Sequence, residues 1–135
     1  MKVIGLGNDW RSDDGAGLEV ARRLGGAQLA GEPIGLVDAL DGPCVVVDAV
    51  SSGAEPGTVH RFAVNGAPLP AGVFGGQSTH AFGLAEALEL ARSLDRLPER
   101  VLVIGIEGGS FDFGKGLTPP VAASVESVVE ELRHA

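Results

Sequence analysis

The sequence is poor in cysteine, tyrosine and other aromatic residues. Its 135 residues include one cysteine, Cys44, no tyrosine, and only 4% aromatic residues. A lone cysteine excludes an internal disulfide and a cysteine-based zinc cluster, and this usage suits a reducing cytoplasm. The lack of tyrosine excludes a tyrosine acid, base or nucleophile.

Positive charge and long apolar runs are also scarce. Ten basic residues stand against 18 acidic ones, so the net charge is −8 and nucleic acid is a poor partner. No apolar run approaches the ~18 residues of a membrane span, and glycine follows the N-terminus too early for a signal peptide. We therefore expect one cytoplasmic domain, residues 1–135, with no membrane partner.

Apolar runs alternate with amphipathic segments along the chain. The predicted strands are residues 2–6, 44–47, 58–64 and 101–106, and the predicted helices are residues 15–24, 81–94 and 119–132. Residues 27–30 fit a short strand, and residues 36–40 fit one or two helical turns. This order predicts an α/β fold with a mostly parallel sheet between layers of helices.

Polar side chains follow the predicted strands, where parallel sheets carry their ligand sites. Asp13 and Asp14 follow the first strand, although acids there also stabilise a helix N-terminus. Asp48 follows the run of valines, where it also fits a cap for the next turn. His80 precedes a predicted helix, where a purely structural histidine hydrogen-bonded to the backbone is the alternative. Glu107, after the last strand, is a candidate to support these groups.

Several chemistries remain open from the residues alone. Two carboxylates and one imidazole suit nickel or zinc and leave coordination positions open, but their spacing does not show that they converge. A Gly-x-Gly turn at residues 5–7 is weak support for nucleotide binding, because Trp10 stands where the third glycine belongs. Serine-hydrolase, zincin and P-loop motifs are absent.

Six segments in order resemble those of the hydrogenase maturation proteases. They are Gly5-Leu6-Gly7-Asn8, Asp13-Asp14-Gly15-Ala16-Gly17, Val47-Asp48-Ala49-Val50 with Pro56-Gly57-Thr58, Ser78-Thr79-His80-Ala81-Phe82-Gly83-Leu84, Gly105-Ile106-Glu107 and Gly116-Leu117-Thr118-Pro119. The resemblance implies a three-layer α/β/α sandwich around a twisted sheet of about five strands. It also implies an endopeptidase that removes the C-terminal extension of the [NiFe] hydrogenase large-subunit precursor after nickel insertion.

The same resemblance implies the site residues. Asp14, Asp48 and His80 match the positions that contact metal, and they are the expected catalytic residues. The nickel is expected to arrive with the substrate, and zinc or another divalent ion is an alternative in vitro. The chain is expected to act as a monomer.

One segment departs from the family pattern, and two other functions compete. Residues 31–35 replace a Gly-Gly-Thr segment that is linked to substrate selection, so the partner hydrogenase is left open. A non-catalytic nickel or zinc metallochaperone would use the same three side chains. A small-molecule-binding α/β module would instead use the glycine turn.

Overall fold

A mostly parallel sheet forms the middle of the molecule. The computed structural model describes residues 1–31, 33–64, 69, 73 and 83–134, and in these residues the strand order is β2-β1-β3-β5-β4. The strands are β1 Lys2–Gly7, β2 Ala27–Ala30, β3 Cys44–Val50, β4 Val59–Val64 and β5 Val101–Glu107. Only β4 runs antiparallel, and it lies at the edge beside β5.

Helices cover both faces of the sheet. They are α1 Ala16–Leu24, α2 Leu36–Ala39, α3 Leu84–Ser93 and α4 Pro119–Arg133. The side chains of β3 alternate between the faces, as the strand repeat requires. Val46 packs in a core with α2 and α3, whereas Val45 and Val47 pack in a second core with α1 and α4. The described chain is therefore a three-layer α/β/α sandwich, as expected.

Most predicted elements are confirmed. Residues 27–30 are a strand, and residues 36–39 form a short helix. The strand predicted to end at Val47 continues to Val50, because Asp48 and the two residues after it remain paired with β5. The loop predicted over residues 68–76 and the start of the helix predicted from Ala81 lie largely outside the described residues. No helix in the described part is long and apolar enough to cross a membrane.

The N-terminal turn of α1 lies directly on the backbone of the sheet. A Cβ atom on Gly17 would lie 2.5 Å from the carbonyl oxygen of Leu6 in β1 and would also clash with that of Val47 in β3. Both obstacles are backbone atoms, which cannot rotate away as a side chain can. Glycine at this position therefore lets the helix approach the two strands closely.

We expect Gly17→Ala to destabilise the fold by about 1–3 kcal/mol, because the overpacking outweighs the better helix propensity of alanine. Urea denaturation of the purified protein measures this change. Gly35→Ala is the matched control. The φ angle of Gly35 is −64°, and the nearest atom to an added Cβ is 4.0 Å away. Equal stability of the two variants would contradict the close approach.

Candidate active site

The first candidate aspartate lies in a turn that folds back onto the end of β1. Residues Ser12–Gly15 form a 3-10 helix immediately before α1. The backbone N–H of Asn8 donates to the carbonyl oxygen of Asp14 at 3.1 Å. Gly7 has a φ angle of +146°, and a side chain there would clash with that same carbonyl. The turn thus holds the Asp14 side chain, only 2% exposed, at the carboxyl edge of the sheet.

The second candidate aspartate lies within a central strand. Asp48 pairs in register with Gly105 of β5, which presents no side chain beside it. Its carboxylate is 5% exposed, and Oδ1 accepts a hydrogen bond of 2.8 Å from the N–H of Ala49. The side chain is therefore buried near the end of β3, at the same edge as Asp14.

The carboxylate of Asp14 acts on that of Asp48 through its charge. Burial raises the pKa of the Asp48 carboxyl well above its ordinary value, and the nearby Asp14 carboxylate raises it further. The hydrogen bond from Ala49 opposes this effect only in part. A divalent cation at this position would stabilise the ionised pair, because it would offset the repulsion between two buried negative charges.

The third predicted ligand, His80, lies outside the described residues. Among the residues that are described, no group of three or more histidine, cysteine or acidic side chains could hold a metal ion. The structure therefore places Asp14 and Asp48 at the same edge of the sheet, and the roles of Asp14, Asp48 and His80 as metal ligands stay predictions.

The carboxylate of Asp13 is bound by donors from a distant loop of the protein. It is 0% exposed, and Oδ2 accepts from the N–H groups of Gly109 and Ser110 at 2.8 and 3.0 Å. The hydroxyl of Thr118 also donates to Oδ2, at 2.8 Å, and its N–H donates to Oδ1 at 2.7 Å. Asp13 thus joins the 3-10 turn to the loop between β5 and α4.

Glu107 is buried and anchors the turn that follows β3. It is 2% exposed, and it accepts hydrogen bonds from the N–H and the hydroxyl of Ser52 at 2.8 and 2.6 Å. His60 of β4 places Nε2 3.2 Å from Oε1 of the same carboxylate. No local sequence pattern connects Ser52 or His60 to the site, because only the antiparallel register of β4 brings His60 to this edge.

Comparisons with known proteins identify the family. A family model described as hydrogenase maturation protease matches residues 33–135. The Hydrogenase 2 maturation protease of Escherichia coli (strain K12) is 25% identical over 146 aligned positions, covering 98% of this chain and 88% of that protein.

Solved structures agree in fold. The [NiFe] hydrogenase maturation protease HybD from Thermococcus kodakarensis is 28% identical, with a TM-score of 0.73 over 99% of this chain and 98% of that one. An endopeptidase from Escherichia coli is 26% identical, with a TM-score of 0.82 over 98% and 90% of the two chains.

Together with the fold, these comparisons define the protein as an α/β/α peptidase. The chain belongs to the hydrogenase maturation protease family.

Asp13→Asn is expected to destabilise the fold by about 1–3 kcal/mol. An amide group cannot accept hydrogen bonds from all the donors that surround Oδ1 and Oδ2. Thermal or urea denaturation measures the loss. Asp112→Asn, at an exposed position of the adjoining loop, controls for the loss of one charge. If the two variants are equally stable, Asp13 does not hold the loop.

Asp48→Asn is expected to stabilise the fold at neutral pH. The native pKa of Asp48 lies above the unfolded value of about 3.9, so the native protein loses stability as the pH rises through that interval. Asparagine keeps the acceptor for the Ala49 N–H and never ionises. The gain in Tm over wild type should therefore be absent near pH 3.5 and largest at pH 7. Asp41→Asn, an exposed change far from the site, should show no such rise.

Proposed function

We propose that this peptidase removes the C-terminal extension of the [NiFe] hydrogenase large-subunit precursor after nickel has been inserted. Family membership supports the class of substrate. In this proposal the nickel belongs to the precursor and is not a resident cofactor of the protease. The reaction takes place in the cytoplasm, and the protease acts as a monomer.

The observation that carries the proposal is the pair of buried carboxylates. Asp14 and Asp48 are 2% and 5% exposed at one edge of the sheet, and the Asp14 carboxylate raises the pKa of the Asp48 carboxyl. A nickel ion presented by the substrate would offset the repulsion between the two carboxylates. Carboxylate and imidazole ligands suit nickel, and zinc or another divalent ion would occupy the same ligands in vitro.

The direction of α3 supports His80 as the third ligand. Its C-terminal end lies at the amino edge of the sheet, where Arg96 pairs with Asp38 at 3.2 Å. Its N-cap, Gly83, therefore lies toward the carboxyl edge, where Asp14 and Asp48 are. His80 precedes Gly83 by three positions in the sequence. In the proposal, the three side chains bind the substrate nickel and thereby place the scissile peptide bond.

Nickel-loaded precursor should lose its C-terminal extension when it is incubated with the protease, and nickel-free precursor should not. Mass spectrometry of the large subunit measures the cleavage. Asp48→Asn and His80→Ala should abolish it while the proteins remain folded, because each removes a nickel ligand. Asp41→Asn, a matched change at the opposite edge of the sheet, should cleave like wild type.

Two results would contradict different parts of this proposal. Equal cleavage of nickel-free precursor would rule out recognition through substrate nickel, as would stoichiometric zinc that resists chelators in the purified protease. Cleavage at the wild-type rate by Asp48→Asn or His80→Ala would rule out the assigned ligands.

A further inference from the structure

Two loops beside the candidate active site are paired with each other. Residues 8–12 and 111–115, which we call the paired-loop surface, are joined through their backbones. The N–H of Gly114 donates to the carbonyl of Trp10 at 2.7 Å, and the N–H of Ser12 donates to the carbonyl of Gly114 at 2.8 Å. The hydroxyl of Ser12 donates to the carbonyl of Asp112 at 2.9 Å. The loops therefore form one surface.

This surface exposes two large aromatic side chains. Trp10 is 56% exposed and Phe113 is 88% exposed, in a chain with one tryptophan and five phenylalanines. The ammonium group of Lys115 lies 4.8 Å from the centre of the Trp10 ring, in cation–π contact. Clustered exposed aromatic groups with a cation among them are typical of binding surfaces.

The paired-loop surface also carries two cations, Arg11 and Lys115, beside two acids, Asp9 and Asp112. Arg11 and Lys115 are exposed, and neither forms an ion pair with any described residue. Asp9 is already bound by Arg22, at 2.9 Å. The remaining exposed acid on this surface is Asp112. Five arginines elsewhere do form ion pairs, namely Arg22, Arg23, Arg61, Arg92 and Arg96.

Two connections fix the paired-loop surface to the candidate active site. The N–H of Asp14 donates to the carbonyl of Arg11 at 3.1 Å, so the turn that carries Asp14 continues directly from the first loop. The buried carboxylate of Asp13 binds the N–H groups of Gly109 and Ser110, just before the second loop. A segment bound on these loops would therefore lie next to the carboxylate pair.

We propose that the paired-loop surface binds an acidic segment of the precursor polypeptide that also carries apolar side chains. The acidic groups bind Arg11 and Lys115, and the apolar groups pack on Trp10 and Phe113. This inference rests on the proposed function for the identity of the polypeptide. The net charge of −8 opposes the approach of an acidic partner elsewhere, so the local cations determine where it docks.

The single tryptophan makes this surface directly observable. Incorporation of 5-fluorotryptophan places one fluorine label on the chain, at Trp10, and unlabelled large-subunit precursor contributes no signal. Titration with the nickel-loaded precursor should shift the fluorine resonance to saturation, and added salt should weaken the binding. The apparent affinity comes from the titration curve.

Charge reversal tests the source of the affinity. The double variant Arg11→Glu/Lys115→Glu should weaken precursor binding by at least roughly tenfold, because like charges then face each other. Phe113→Ser should also weaken it. The matched control is Arg100→Glu/Arg133→Glu, which takes the net charge from −8 to −12 in the same way. Both control positions are exposed, one just before β5 and the other at the end of α4, and the control should bind like wild type.

The outcomes separate this inference from the proposed function. A saturable, charge-dependent shift without cleavage supports the docking surface and overturns the proposed function. Cleavage without a shift, or a shift that survives the charge reversal, overturns the docking surface and leaves the proposed function standing. A shift that grows with the concentration of the protease alone, without precursor, would indicate self-association and overturn the docking surface. The absence of both a shift and cleavage would overturn both the docking surface and the proposed function.

Discussion

The contact between the start of α1 and the backbones of β1 and β3 sets the position of everything at the carboxyl edge. Gly17 places no side chain between the helix and the strands. The 3-10 turn just before α1 is therefore held against the end of the sheet, and Asp14 is buried near Asp48 as a result. A wider helix-to-sheet distance would move the first carboxylate away from the second.

The two adjacent aspartates of this turn lie in different surroundings. Asp13 accepts hydrogen bonds from Gly109, Ser110 and Thr118, so its buried charge is compensated within the protein. Asp14 lies at the same edge as Asp48, and its charge adds to burial in raising the pKa of the Asp48 carboxyl. Sites that bind charged ligands commonly lower the stability of the folded protein in this way. The hydrogen bonds of Asp13 hold the turn that carries Asp14.

Asp13 also connects the site to the surface around it. The loop that Asp13 holds continues into Phe113 and Lys115, and the turn that carries it continues from Trp10 and Arg11. Binding on those loops and chemistry at the carboxylate pair would therefore share one rigid support. A polypeptide substrate needs such a support, because the scissile bond has to be placed accurately relative to the catalytic groups.

The local sequence was enough to predict the elements of the fold and the resemblance to the maturation proteases. It also pointed to Asp14 and Asp48 as candidate site residues. Continuous valine runs mark buried strands, and amphipathic spacing marks the helices, because both patterns arise within a few neighbouring residues. The resemblance already favoured Asp14 over Asp13 as the ligand, but only the tertiary structure showed what Asp13 does, since its partners lie 96 to 105 positions away. It likewise decided that His60 meets Glu107. Contacts between residues so distant along the chain leave no local pattern, because they depend on how strands and loops are brought together in three dimensions.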